Sequence, residues 1–275
     1  MLHIPITDLD LPELQPYRTL RRQEEHYRQR IFVVEGEKTL RRLLATELVV
    51  VSVLLTQEWL RIFDPLLNQR SEEIRVFVAE KSLLENLIGF TMFQGVMAVA
   101  RIPEDRSLPQ ILEESQTPSL LVATDGVSNA ENLGTLVRNC AGFSVDGLLI
   151  SQGSSSPFLR RAVRSSMGGI FKMPVLERLD LVATFQELRR RKVRCIGAHP
   201  HASGKTLPEL DLKGGCCIVF GNEARGISEP VLAACDDVAS IPMPDHVDSM
   251  NVSSAAAVFL YEVWRQRNAR GRQCP

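Results

Sequence analysis

In the second half of the chain, short apolar runs alternate with stretches of helical period. The runs at residues 120–123, 147–150, 173–176, 193–197, 216–220 and 238–241 predict strands. Residues 132–141, 157–163, 181–192, 229–235 and 251–266 predict helices. Ser128-Asn129-Ala130-Glu131 has capping-box spacing, and Pro157 suits a first helical position. Apolar strands interleaved with helices need cover on both faces, so this half reads as an α/β domain with a parallel sheet. The first hundred residues give a weaker version of the same pattern. Helices are expected at 37–44 and 81–87, and strands at 49–55, 74–78 and 96–100, as in a small α/β/α sandwich. The polar, proline-bearing stretch 101–118 separates the two, with a short helix expected at 110–115. The expected division is a first domain at 1–102, a linker at 103–118 and a second domain at 119–275. No internal repeat is visible.

Composition narrows the class. The 275 residues are 44% hydrophobic and 24% charged, with 17 Gly and 15 Pro, which excludes disordered, collagen-like and low-complexity chains. Lys and Arg number 32 against 33 Asp and Glu, a net charge of −1, which argues against coating nucleic acid by bulk charge. The balance hides polarity. Residues 18–42 carry eight cations (Arg18, Arg21, Arg22, Arg28, Arg30, Lys38, Arg41, Arg42) against four Glu, a stretch of +4. Residues 160–194 carry ten cations against three acids, a stretch of +7, which leaves −12 for the rest. Basic stretches in both halves form a candidate track for phosphates, although a solvated face explains Arg189–Lys192 equally.

The chain starts without a basic segment or a signal-like apolar core, and its most apolar run, 48–55, interrupted by Ser52, is far short of the about 20 residues of a membrane span. A soluble protein with no membrane partner is expected. Six cysteines (Cys140, Cys195, Cys216, Cys217, Cys235, Cys274) show neither a C-x-x-C pair nor His at zinc spacing. Buried thiols in a reducing cytoplasm, and no metal, are the expectation. Two apparent motifs do not hold. Ser203-Gly204-Lys205-Thr206 ends like a phosphate-binding loop, but the Gly required five residues before Gly204 is His199. His199 and His201 have no carboxylate or Cys at metal-ligand spacing. No G-x-G-x-x-G follows the first strand of the second half, so an ordinary dinucleotide site is unsupported.

Candidate chemistry lies in three loops after strands, where open α/β sheets bind ligands. The first, Asn129 to Arg138, places Asn132 and Gly134 in a first helical turn, whose free N–H groups favour anions. The second is Phe220-Gly221-Asn222-Glu223-Ala224-Arg225-Gly226. The third is Ile241-Pro242-Met243 followed by Asp248-Ser249-Met250-Asn251-Val252-Ser253. Singly, each also reads as caps and turn glycines; all three together are harder to explain that way.

These three motifs, N-x-G-x-x-x-R, F-G-N-E-x-x-G and I-P-M with S-M-N-V-S, resemble those of the SpoU/TrmH family of RNA 2′-O-ribose methyltransferases. Arg164-Ser165-Ser166-Met167-Gly168-Gly169 and Phe32-Val33-Val34-Glu35-Gly36-Glu37-Lys38 resemble further family segments, so the likeness spans about residues 18–265. Glu131 stands where Pro often precedes the first motif's Asn, and Met250 replaces the commoner Leu. The resemblance implies a SPOUT fold, a parallel sheet closed by a trefoil knot, and an N-terminal substrate-binding domain related to a ribosomal-protein fold. It implies S-adenosylmethionine as methyl donor and a homodimer whose active site is completed at the subunit interface. Carried over by position, Arg138, Asn132, Glu223, Ser249 and Asn251 are the catalytic candidates. Gly221, Ile241, Met250 and, more weakly, Ala198 with His199 are the donor-binding candidates. Arg164, Arg28, Arg30 and Lys38 are candidates for contact with RNA. Glu223 is left open between catalysis and structure, as is the group that accepts the 2′-OH proton. Ribosomal RNA is the expected substrate, tRNA the alternative, and a non-catalytic ribosome-assembly factor a reading of a different class. Trp59 and Trp264 are expected in packing.

Overall fold

Ile31-Phe32-Val33-Val34 is an unbroken run of β-branched and aromatic residues, and it is buried on both faces as the central part of a strand. The computed structural model describes residues 2–6, 8–20, 22–89, 91, 94–201, 205–244 and 246–268. By contacts, the chain divides into two compact units: Met1–Glu104 with Phe158–Lys172, and Asp105–Pro157 with Met173–Pro275.

The first unit holds strands β1 (Leu2–Pro5), β2 (Ile31–Glu35), β3 (Val50–Leu55), β4 (Arg75–Val78) and β5 (Val96–Arg101) in the order β1-β4-β3-β5-β2. Strand β5 is antiparallel to both neighbours; the other pairs are parallel. Helices α1 (Gln15–Arg18), α2 (Gln23–Arg28), α3 (Glu37–Leu44), α4 (Gln57–Leu67) and α5 (Lys81–Ile88) accompany it. Alternation along β2 assigns its two faces. Ile31 and Val33 join Leu14, Tyr17, Leu84 and Leu87 in one core, while Phe32 turns to Phe158 and Phe171 at 5.6 and 5.9 Å between ring centroids. The hydropathy pattern does not resolve β1, β2 or α4, the last of which carries Pro65 in its final turn.

The second unit opens with α6 (Leu108–Glu114), capped by a Ser107–Gln110 capping box. Strand β6 (Leu120–Asp125), α7 (Ala130–Gly142), β7 (Gly147–Ser151), β8 (Val175–Leu179), α9 (Leu181–Arg190), β9 (Arg194–Ala198), β10 (Lys205–Thr206), β11 (Cys216–Gly221), α10 (Glu229–Ala234), β12 (Asp237–Ser240) and α11 (Val252–Asn268) follow. The seven strands run in the order β10-β12-β9-β11-β6-β7-β8, and every pair is parallel. This is the α/β parallel-sheet architecture expected from the apolar runs. Its centre is β11, whose Cys216–Gly221 pair residue by residue with Leu120–Asp125.

Several local expectations are corrected. The unit boundary is not a single cut at the linker, because residues 158–172, with helix α8 (Arg160–Ser166), pack in the first unit. Pro157 begins a turn instead of a helix, since its fixed φ suits either and α8 starts after Leu159. The cap of α7 is Asn129, whose Oδ1 accepts from the Glu131 and Asn132 N–H groups; Ser128 is engaged elsewhere. Trp59 donates to the Gln94 carbonyl and packs on Phe63. Trp264, by contrast, is 46% exposed and stacks on Tyr261, itself 50% exposed, on the outer face of α11.

Cys140, Cys195, Cys216 and Cys217 are buried and Cys235 half-buried, all as free thiols. Burial pushes Cys216 up to about 11 and Cys235 up to about 12, so both stay protonated near neutrality and are poor nucleophiles. Among the described residues no helix is long and apolar enough to cross a membrane, and no group of three or more His, Cys, Asp or Glu is placed to hold a metal ion. Ser203 and Gly204 of the apparent phosphate loop, Arg21 and Cys274 lie outside the described residues.

Candidate active site

Parallel strands present the start of the following loop at one sheet edge, and the switch in strand order opens a crevice there. Beyond the ends of β9, β11 and β12 lies a cavity of about 560 Å³. Ala198, His199 and His201 form one wall, residues 221–226 another, and Ile241, Met243 and 248–252 a third, with Asn132 closing one side. Phe220, Ala239, Val252, Ala255 and Phe259 also line it and make it partly apolar. Phe220 and Phe259 are buried and meet edge to face, with centroids 5.8 Å apart.

The loop after β11 is tightly built. Asn222 and Gly226 exchange two backbone hydrogen bonds of 2.9 Å, and Gly226 takes a φ of +70°. The Asn222 Oδ1 accepts from the N–H groups of Ala224 and Arg225, while its Nδ2 donates to the Gly126 carbonyl at 2.7 Å. That bond fastens the loop to the end of β6. Gly221 has no room for a side chain, because a Cβ would lie 2.1 Å from Gly226 C and Ile227 N.

One polar chain joins the three motif loops. Glu223 Oε2 accepts from the Ser128 N–H and hydroxyl at 3.1 and 3.2 Å, and Oε1 from the Asn129 N–H and the Asn132 amide at 3.0 and 3.1 Å. Asn132 Oδ1 in turn accepts from Asn251 Nδ2 at 3.0 Å. Asn251 Oδ1 then accepts from the Ser253 N–H at 2.9 Å, which caps α11. Ser253 Oγ donates to the Asn132 carbonyl, and Asn139 donates to the Ser253 carbonyl. A carboxylate that can only accept stands at one end and a backbone N–H that can only donate at the other, so both amides have a single orientation.

Glu223 is thereby occupied on both oxygens. Its partial burial alone would raise its pKa; the Asn132 amide and the backbone N–H groups of Glu223, Ser128 and Asn129 outweigh that and hold it below the ordinary glutamate value. An ionised carboxylate with four donors is a poor general base and a good tether. The sign for stability follows. A depressed carboxylate contributes stability above the ordinary glutamate range, and loses it as pH falls through its folded value. Urea unfolding of wild type and Glu223→Gln is therefore expected to differ most at neutral pH and to converge in acid. Equal separation at all pH values would remove the carboxylate from the tether.

The structure brings Asn132, Glu223, Ser249, Asn251, Gly221, Ile241, Met250 and Ala198 around this one cavity. Arg138 is not among the lining residues. It is exposed on α7, six residues and so about 120° around the helix from Asn132, and among the described residues no hydrogen bond or ion pair is found to its guanidinium. Of the candidates for RNA contact, Arg164 and Lys38 are exposed, Arg28 is exposed beside Glu24, and Arg30 donates to the Pro103 carbonyl. Sequence reasoning missed Ser128 and Asn129 as the donors to Glu223, and Asn222 as the organiser of its loop. The signal available for Asn222 was its place directly after a strand and a glycine.

Comparison with known proteins follows the same lines. Residues 119–261 match the model of the SpoU rRNA Methylase family. An uncharacterized tRNA/rRNA methyltransferase of Mycobacterium bovis is 30% identical over 265 residues, covering 94% of this chain and 90% of that one. The 23S rRNA guanosine-2′-O-methyltransferase RlmB of Xylella fastidiosa strain 9a5c is 32% identical over 210 residues, 75% of this chain and 84% of that one. In fold, the SpoU methyltransferase AviRb of Streptomyces viridochromogenes, solved with its cofactor AdoMet, superposes with a TM-score of 0.81 at 23% identity, over 95% of this chain and 99% of that one. An RNA methyltransferase of the TrmH family from Porphyromonas gingivalis, so described provisionally, gives 0.77 at 27% identity, over 95% and 100%. With the family model spanning the whole parallel sheet and the relative in Mycobacterium bovis nearly the whole chain, this protein belongs to the SpoU rRNA methylase family.

Proposed function

We propose that the protein methylates a ribose 2′-OH in structured RNA with S-adenosylmethionine as donor, ribosomal RNA being the first candidate and tRNA the second. The observation that carries this reading is the polar chain Glu223–Asn132–Asn251, which ties the three motif loops around one cavity. The cavity suits the donor. Its volume falls within the range of small-molecule sites, and it combines an apolar floor with a glycine wall where backbone must approach closely. Gly221, Ile241, Met250 and Ala198 would hold the donor, in good part through main-chain groups. When bound, S-adenosylmethionine supplies a methyl group on a positively charged sulfur, an electrophile.

The chain's own residues must then place a weakly acidic alcohol and stabilise its loss of a proton. Arginine stays protonated at any working pH, so Arg138 serves as a cation that grips the target phosphate and steadies the developing alkoxide. Asn132, held from both ends, and Ser249 and Asn251 shape the place where the ribose sits. Glu223 holds Asn132 in position.

Because Arg138 does not line the cavity of its own chain, the reading includes a homodimer in which the partner supplies it. The exposed Tyr261–Trp264 pair, with exposed Val247 and Met250, supplies apolar surface for that second copy. A trefoil knot is supported by strand order: β11 lies between β9 and β6, β12 lies outside β9, and α11 returns onto α7 and β11. Residues 119–275, apart from the segment 158–172 that packs in the first unit, would carry methyl transfer, 1–102 would bind RNA like a ribosomal protein, and 103–118 would link the two. A reducing cytoplasm suits the free thiols.

The test is incubation of purified protein with tritiated S-adenosylmethionine and undermethylated ribosomal RNA. Label is expected in alkali-resistant dinucleotides, the mark of a methylated 2′-OH. Donor binding by titration without label in ribosomal RNA or tRNA would overturn the substrate. No donor binding at all would favour a non-catalytic assembly factor.

A further inference from the structure

Helix α8 lies in sequence between two strands of the parallel sheet, yet it has a defined seat in the first unit. Phe158 and Phe171 bracket the segment and pack on Phe32 of β2. Arg160 forms an ion pair with Glu35 at the end of β2, with the two side chains only 20% and 11% exposed. At the other end of α8, the Met167 carbonyl accepts from Arg42 of α3. Gly168 follows with a φ of +82°, where a Cβ would stand 3.1 Å from Arg42 Cδ. Both helices thus rest on β2, joined at their C-terminal ends.

What they expose is cationic. Helix α3 buries Thr39, Leu40, Leu43 and Leu44 and exposes Lys38, Arg41 and Arg42. Helix α8 buries Ala162, Val163 and Ser166 and exposes Arg161 and Arg164, with exposed Lys172 just beyond. Residues 158–172 contain no acid. Glu35 at the end of β2 is held by Arg160, and Glu37 at the start of α3 by Arg41. Lys38 and Arg42 are i,i+4 neighbours and Arg161 and Arg164 i,i+3 neighbours, so each pair of like charges shares one helix face. Closely spaced cations on rigid helices fit the repeated charges of a nucleic-acid backbone.

We propose that α3 and α8 form one phosphate-binding surface for RNA, built jointly by the N-terminal unit and by a segment whose sequence belongs to the methylase half. This rests on the RNA reading above and deepens it, because it places backbone recognition on Lys38, Arg42, Arg161 and Arg164 together. It also takes Arg30, committed to the Pro103 carbonyl, out of that role.

The test compares two charge-reversed forms of the full chain. Lys38→Glu with Arg161→Glu is expected to weaken binding to a 23S rRNA transcript at least tenfold near 100 mM salt. It should flatten the plot of log Kd against log salt by about one per lost contact, so by about two. Affinity for S-adenosylmethionine and the melting temperature should stay at wild type. Arg190→Glu with Lys213→Glu makes the same change in charge on exposed positions of the other unit, and should cost less than about threefold. Equal losses in both forms, or none in the first, would overturn the surface while leaving RNA methylation standing. Failure of wild type to bind either the transcript or bulk tRNA would overturn the RNA reading and this surface with it.

Discussion

Arg138→Ala is expected to lower methyl transfer by about 10²–10⁴-fold while S-adenosylmethionine binding stays within about twofold of wild type. The separation follows from position. The guanidinium stands outside the cavity that Gly221, Ile241 and Met250 line, so a donor held there would not depend on it. Arg138→Lys restores little, because a point charge does not reproduce two parallel N–H bonds to a phosphate. If the partner chain supplies this arginine, mixing has a definite outcome. Chains carrying Arg138→Ala, equilibrated with chains disabled at Asn132, recover about a quarter of wild-type activity, since half of random dimers are mixed and each mixed dimer holds one intact site. No recovery would place Arg138 in the site of its own chain. Near wild-type activity of Arg138→Ala alone would remove it from the chemistry.

The parallel sheet was legible because its central strands are buried on both faces. Leu120–Asp125 and Cys216–Gly221 are almost uninterrupted runs of apolar residues, as a covered sheet requires. The three loops were legible because glycine, asparagine and glutamate cluster where strands end. What escaped depends on contacts between residues distant in sequence. Ser128 and Glu131 have capping-box spacing, but Glu223, 95 residues away, takes the Ser128 hydroxyl and leaves the cap to Asn129. Helix α8 looks like a crossover of the parallel sheet until Phe32, Glu35 and Arg42 are found to seat it elsewhere. Strand β2 is not resolved because a short apolar run such as Ile31–Val34 fits a buried strand and a buried helical segment equally, and no regular alternation with helical patterns surrounds it as it does the runs of the second half. Trp264 was assigned to packing on residue type alone, and large aromatic residues are also left on surfaces that meet partners.

Gly221→Ala is expected to abolish donor binding, with a loss of at least about a hundredfold, and to destabilise the second unit by roughly 2–4 kcal/mol. The added methyl would lie 2.1 Å from Gly226 C and Ile227 N and 2.5 Å from Gly226 O, and all three are backbone atoms. No rotamer relieves such a contact, so the 222–226 loop must move. That loop is held by the paired 2.9 Å bonds between Asn222 and Gly226, by the Asn222 bond to Gly126, and by the four donors on Glu223. Shifting it pulls Glu223 from Asn132, and Asn132 from Asn251, so one methyl group disturbs all three walls of the cavity. Gly226→Ala is the control. Its φ of +70° imposes backbone strain, of about 1–2 kcal/mol, but nothing lies within 4 Å of its Cβ. It should lose stability and keep most of its donor affinity, whereas Gly221→Ala loses both. Titration calorimetry with S-adenosylmethionine and urea unfolding separate the two. Donor affinity of Gly221→Ala within a few-fold of wild type would mean that the loop yields without cost, and that the cavity is not where the donor binds.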